Sequence, residues 1–370
     1  MAAQSRSDWR SYGLLGGWRG LGRFWGAVLA VFCVGAGVLQ LLGPRLSQPR
    51  QEIAANPPAR PDPHASPPEV QKRAVVQAPA TLGRPGRSMP GPLADPDPGL
   101  LEPYPGSPDR KLPRISFDGR TPMAIYAAPF DPSSVRPRVG ILIGGIGMSE
   151  ADSLAAIKNL PSGVTLAISP YSANMDRLLA LARMTKHEYL LSLPMEPQGY
   201  PVNDPDDRHA LMTSLSPAEN LDRLRWAMSR IGGYAGVTSL LGPMRGERLL
   251  GVRDQRESML QEVADRGLLF VDARPADGHS GENRFARVWS RTANLSIDDD
   301  PVSEAAIDQR LEMLSRIARD TGSALGIVSV PRPLTLDRVA AWTNSLTAKG
   351  LALAPVSALV MPPAAREPDK

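Results

Sequence analysis

From residue 136 onward, short apolar runs alternate with stretches in which apolar side chains recur every three or four positions. The runs predict buried strands at 139–143 (VGILI), 164–168, 189–193, 268–271, 325–330 and 351–356. Between them the helical period predicts a helix from Ser149 to Leu160, with Asp152 as capping-box partner and Pro161 as the stop. A second covers about 174–185. Ser216-Pro217-Ala218-Glu219 joins a capping box to proline at the first helical position, and Leu221, Leu224, Met228 and Ile231 then share a face. Asp254 with Glu257 is expected to open the next helix, which ends at Gly267. Ser303 opens a long helix along Ile307, Leu311, Leu314 and Ile317, closed by Gly322. Leu336, Val339, Trp342 and Leu346 line the last one. Strand–helix alternation over about 225 residues predicts an α/β domain with a mostly parallel sheet, of a size that suits one closed or nearly closed barrel.

Ahead of residue 136 the pattern changes twice. Residues 24–43 (FWGAVLAVFCVGAGVLQLLG) carry no charge, and as a helix they would span a hydrocarbon core of about 30 Å. Four arginines precede the run and Trp18 and Trp25 stand at its entry, so a transmembrane helix is expected with residues 1–23 cytoplasmic. A cleaved signal peptide is the alternative, but its small-residue site would follow the apolar run, whereas Gly35-Ala36-Gly37 lies inside it. Residues 44–135 hold 21 of the 38 prolines and predict an extended, disordered linker, with 114–130 docking on the domain as an irregular arm. The domain is expected over 136–361, followed by a disordered tail over 362–370.

The net charge of +4 and pI near 9.3 would suit a nucleic-acid binder, but the surplus is not in the part that folds. Residues 1–135 carry 15 basic against 10 acidic side chains, and residues 136–370 carry 27 against 28. The basicity is therefore an orientation signal at a membrane, and no nucleic-acid partner is expected. Cys33 alone excludes a disulfide framework. His64, His187, His209 and His279 are few for a histidine metal site. His187-Glu188 precedes a strand, at the end opposite an active site, so a structural hydrogen bond is expected. His209 and His279 lie in polar loop text with no partner at ligand spacing and are expected to be exposed.

Chemistry in such folds gathers beyond the carboxyl ends of the strands. The first strand runs into Gly144-Gly145-Ile146-Gly147, a tight turn before a helix; Glu150 stands where a dinucleotide fingerprint needs its third glycine. No G-x-S-x-G nucleophile elbow is present.

Several stretches identify a resemblance. RVGILIGGIGMSEADSLAAIKNLPSGVTLAISPY, HEYLLSLPMEPQGYPVNDP, GLLFVDARP, TANLSIDDDP and the terminal APVSAL resemble the divergent polysaccharide deacetylases of bacterial envelopes over about 138–360. The resemblance implies a distorted (β/α) barrel of the polysaccharide deacetylase type. It also implies a divalent metal held by a carboxylate and histidines, with a second carboxylate as base. Position by position, the donors are mostly missing. Gly144 and Gly145 stand at the family's aspartate pair, Ser192 at a histidine, Leu240 (in Thr238-Ser239-Leu240) at another, and Val330 at a fourth site.

Glu196, Asp272, Arg274, Asp298 and Ser239 remain as candidates for a ligand groove. Asp272 with Arg274 reads either as a pair that positions sugar hydroxyls or as an ion pair bracing the barrel rim. Of the acids 298–300, one is expected to point inward and the rest to form a solvated turn. The expectation is a membrane-anchored, periplasmic protein of envelope carbohydrate metabolism, without a cofactor, that binds glycan or an envelope protein and has lost metal-dependent hydrolysis. The alternative is an active zinc or manganese amino-sugar deacetylase with a rearranged site using Glu196, Asp272, Asp298 and His279.

Overall fold

The computed structural model describes residues 93–172, 175–206, 208–276, 285 and 287–363, with Trp25 apart. The membrane span expected over 24–43, the tether up to residue 92, His64, His279 and the tail from 364 lie outside the described residues. Among the described residues, no helix is long and apolar enough to cross a membrane.

The parallel sheet begins with β3 (Arg138–Ile146), β4 (Thr165–Ile168), β5 (Tyr189–Ser192), β6 (Gly236–Thr238) and β7 (Leu269–Asp272). Between them run α2 (Glu150–Asn159), α3 (Met175–Met184), α4 (Pro217–Met228), α5 (Glu247–Gly251) and α6 (Arg253–Asp265). Then come β8 (Ser290–Thr292), β9 (Leu295–Ser296), α7 (Glu304–Thr321), β10 (Ser323–Val328), α8 (Pro333–Ser345) and β11 (Ala352–Leu353). The strand order is β8-β7-β6-β5-β4-β3-β10-β9, with β11 beside the start of β3.

The two ends of that order are one stretch of chain. Ser290 to Thr292 pair with β7, and Leu295 and Ser296 pair with β10. Between the two, Ala293 N–H donates to the Asp272 carbonyl at 2.9 Å and Asn294 N–H to the Leu325 carbonyl at 2.8 Å. The segment 290–297 thus ties the edges of the curled sheet together, leaving no unpaired strand edge there. Strands this short show no periodicity, and the apolar pattern did not predict β6, β8 or β9.

Alternation along the strands sorts the core into two layers. Ile141, Ile143, Leu166, Ile168, Leu191, Val237 and Phe270 face the helices. Leu142, Ala167, Leu190, Leu269, Val271, Leu325 and Ile327 fill the interior of the curl. The helices start and stop for local reasons. Ser216 and Glu219 complete a capping box with Pro217 at the first turn, and Gly322 ends α7 in the left-handed region at φ 86°. Two caps differ from expectation. At α2, Ser149 Oγ accepts the Asp152 N–H at 3.3 Å, which is the half of the expected capping box that forms. α6 begins at Arg253 with Val252 at the cap, and Glu257 pairs with Arg253 one turn earlier instead of capping.

The linker expected to run to residue 135 yields to folded chain much earlier. The strands β1 (Leu101–Tyr104) and β2 (Ser107–Pro113) form a hairpin, and α1 (Pro122–Ile125) follows. Both strands are edges, which is where prolines such as Pro103 and Pro108 are tolerated. Leu100, Met123 and Tyr126 are buried against the inner layer at the amino-terminal end of the strands. Glu188, fully buried at the start of β5, accepts from Ala128 N–H at 3.1 Å, Thr165 Oγ1 at 3.2 Å and Ser357 N–H at 3.0 Å. It ties the arm, β4 and the C-terminal turn to one point.

Candidate functional site

At the carboxyl ends of the strands, Gly144 of β3 faces Leu240 just beyond β6. A Cβ built on Gly144 would lie 3.0 Å from both Cγ and Cδ2 of Leu240 and 3.0 Å from the Ser329 carbonyl oxygen. Gly145 adopts φ +71°, and a Cβ there would lie 3.1 Å from Pro331 Cδ and 3.8 Å from Val330 Cα. Gly144, Gly145, Leu240 and Val330 therefore converge on one place, and the leucine side chain fills it. Ser192 ends β5 on the inward-facing parity of Leu190; its hydroxyl is buried and has no hydrogen-bond partner among the described residues.

The surviving carboxylates do not point into this place as free ligands. Glu196, 2% exposed, accepts from Thr213 N–H and Oγ1, both at 2.6 Å, and pairs with Arg248 Nη1 at 2.8 Å. It clamps the chain after β5 to α5. Asp272 shares the outward parity of Phe270 and is held by Arg274, which donates from its backbone N–H at 3.0 Å, from Nε at 3.0 Å and from Nη2 at 2.6 Å. The hydrogen bond to Asp272 raises the Arg274 pKa further. Ser239 Oγ accepts from Ala273 N–H at 2.9 Å. Asp298 is the inward acid of its trio, accepting from Ser329 N–H at 2.8 Å and Val330 N–H at 3.0 Å, and so anchors the turn after β10. Asp299 binds Ser296 Oγ at 2.7 Å and Arg245 Nη2 at 2.6 Å. Burial alone would push its carboxyl up, but the hydrogen bonds from Ser296 and Arg245 outweigh it and hold the pKa below the ordinary value. Among the described residues no three His, Cys, Asp or Glu side chains gather as a metal site would need. The described residues at the mouth do not fit a divalent metal.

Open space lies beside this plug. A cleft of about 420 Å³ is lined by Gly147, Met148, Tyr171, Asp204, Asp206 and Met244, among others, at the carboxyl ends of β3, β4 and β6. Tyr171 Oη donates to the Pro205 carbonyl at 3.3 Å. Burial, with the charge of Asp206 nearby, raises its pKa, so it remains a neutral phenol. Behind the cleft His209 stacks on Trp226 with centroids 3.8 Å apart, and Tyr171 meets the same indole at 5.8 Å. His209 is half-buried, and its Nδ1 lies 2.7 Å from Asp206 Oδ2, a partner three residues away that loop text alone did not single out. Burial pushes the Asp206 carboxyl up, but the bonds from His209 and the Arg208 N–H outweigh it and hold the pKa low. The sequence reading missed Tyr171, Asp204, Asp206 and Arg245. The only signal was that Tyr171 and Asp204 lie within the motifs AISPY and PVNDP and that Asp206 directly follows the second.

The fold and this mouth define an α/β protein with a curled parallel sheet and a ligand-sized cleft at the strand carboxyl ends. The model of the divergent polysaccharide deacetylase family matches residues 141–360, and the chain belongs to that family. It is 24% identical over 181 residues to the uncharacterized protein YibQ of Escherichia coli (strain K12), an alignment covering 48% of this chain and 53% of that protein's length. It is 32% identical to the uncharacterized protein ATU2773 of Agrobacterium tumefaciens C58. That crystal structure superposes with a TM-score of 0.60, over 68% of this chain and 100% of the other.

Proposed function

We propose that this chain is a membrane-anchored, periplasmic glycan-binding protein on a deacetylase barrel that has lost metal-dependent hydrolysis. The observation that carries the loss is the Leu240 side chain packed against Gly144 and the Ser329 carbonyl, where the family resemblance puts a metal and its carboxylates. A carboxylate at 144 and a leucine at 240 compete for the same volume. Family membership supports a carbohydrate ligand, and the adjacent cleft is large enough for one or two sugar rings to enter. The uncharged run at 24–43 supports the anchor, and the arginines before it support a periplasmic domain.

Metal content and acetate release by the full-length chain on N-acetylated amino-sugar oligomers, with sedimentation against peptidoglycan, test this reading. Metal-free protein that binds glycan without releasing acetate supports it. Stoichiometric zinc or manganese, with turnover abolished by Glu196→Ala, would overturn it in favour of an active enzyme.

A further inference from the structure

We infer that the cleft beside Tyr171 selects glycan carrying unacetylated, positively charged amino sugars; the inference rests on the carbohydrate reading above. Three features of the cleft point this way. Its lining includes two carboxylates, Asp204 and Asp206, and no lysine, arginine or histidine. Asp204 is solvent-exposed and lines the cleft, and although one of its oxygens accepts the Asp206 N–H at 2.9 Å, a carboxylate has further lone pairs with which to accept from a cationic donor. Asp206 is ion-paired with His209, so Asp204 is the stronger lure for an incoming ammonium.

The remaining wall suits the rest of such a ligand. Tyr171 is 40% exposed and Met148 64% exposed, and together with Leu241 and Met244 they offer an apolar surface to the C–H face of a pyranose ring. Three arginines stand near the wall: Arg208, exposed, whose backbone N–H donates to Asp206 at 3.2 Å and whose charge bears on that carboxylate, and Arg223 and Arg230, which are engaged elsewhere. Arg223 donates to the Ala210 carbonyl at 2.6 Å, and Arg230 donates to the Pro170 carbonyl at 3.2 Å with its guanidinium over Trp226. An acetylated amino sugar has no charge to set against Asp204. An ammonium at the same carbon pairs with that exposed carboxylate, an attraction that is modest and screened by salt.

The test is calorimetric titration of the full-length chain with glucosamine oligomers and N-acetylglucosamine oligomers of equal length, repeated with Asp204→Asn. The substitution is at an exposed position, and unchanged thermal unfolding confirms that it folds. Tighter binding of the unacetylated oligomer is expected, weakened roughly two- to fivefold by D204N and by added salt, with the acetylated oligomer indifferent to both. Equal affinity for the two oligomers, or a preference that survives D204N, overturns the inference while leaving a glycan-binding protein. Failure of both oligomers to bind, while the chain still sediments with peptidoglycan, overturns this inference alone; failure with all three overturns the carbohydrate reading as well.

Discussion

Leu240 occupies the space in front of Gly144: a Cβ on that glycine would meet the leucine's Cγ and Cδ2 at 3.0 Å. The two residues come from strands three places apart in the sheet order, and their contact closes the mouth of the inner layer. Restoring a carboxylate at 144 therefore overpacks the site. Gly144→Asp should destabilise the fold by about 1–3 kcal/mol. Adding Leu240→Ala should recover part of that loss, although the alanine alone is destabilising. Chemical denaturation of the two single variants and the double variant measures the coupling; strictly additive values would show that the two side chains do not share the volume.

Glu196 is a brace whose loss acts on stability. Removing its carboxylate leaves Thr213 N–H and Oγ1 without their acceptor in a buried place. Glu196→Ala should cost about 1–3 kcal/mol in urea unfolding. Glu196→Gln should keep part of this, since its amide oxygen still accepts. A variant as stable as the parent would mean the clamp between the chain after β5 and α5 is dispensable.

Asp298 pins the turn after β10 through two amides. Asp298→Ala should raise hydrogen exchange at Ser329 and Val330, while Ile327, bonded within the sheet, keeps its protection. Unchanged exchange at 329 and 330 would mean that the turn holds without its carboxylate.

His187 is fully buried, with Nδ1 2.8 Å from the Val164 carbonyl and Nε2 3.1 Å from that of Ile157. Burial lowers its pKa and the two carbonyls oppose the shift. Because the folded value lies below that of the unfolded chain, near 6.5, the neutral ring's contribution is present above that pH. It is lost as pH falls through the lowered folded value. Unfolding free energy should therefore drop more steeply with acid below about pH 6.5 in the parent than in His187→Gln. Equal slopes would remove His187 from the acid response.

Most helices were legible because each rests on local chemistry. Ser216 with Glu219, Ser149, and Gly322 are caps that a few neighbouring residues complete. The long apolar strands were legible for the same reason. Asp254 and Glu257 misled because an acid near a helix start also serves as an ion-pair partner, here for Arg253. The candidate site was legible by residue type and not by role. Glu196, Asp272 and Asp298 are all buried, as a ligand set would be, yet each is consumed by donors that sequence spacing does not reveal: Thr213 and Arg248, Arg274, and the amides of Ser329 and Val330. The hairpin and α1 were hidden by their prolines, since Leu100, Met123 and Tyr126 are buried through contacts with the strand starts and follow no period.

Taken alone, the chain's order of residues determined the strand–helix alternation, the family resemblance, the charge division between the first 135 residues and the rest, and the missing donors at 144, 145, 192, 240 and 330. Those features depend on near neighbours in sequence or on residue type. Only the tertiary structure decided that the segment 290–297 joins both edges of the sheet, that Leu240 fills the space before Gly144, and that Asp204 and Tyr171 line one cleft. Each of these joins residues tens of positions or more apart, and such contacts are set by how strands stack and curl, which no local pattern of apolar and polar positions encodes.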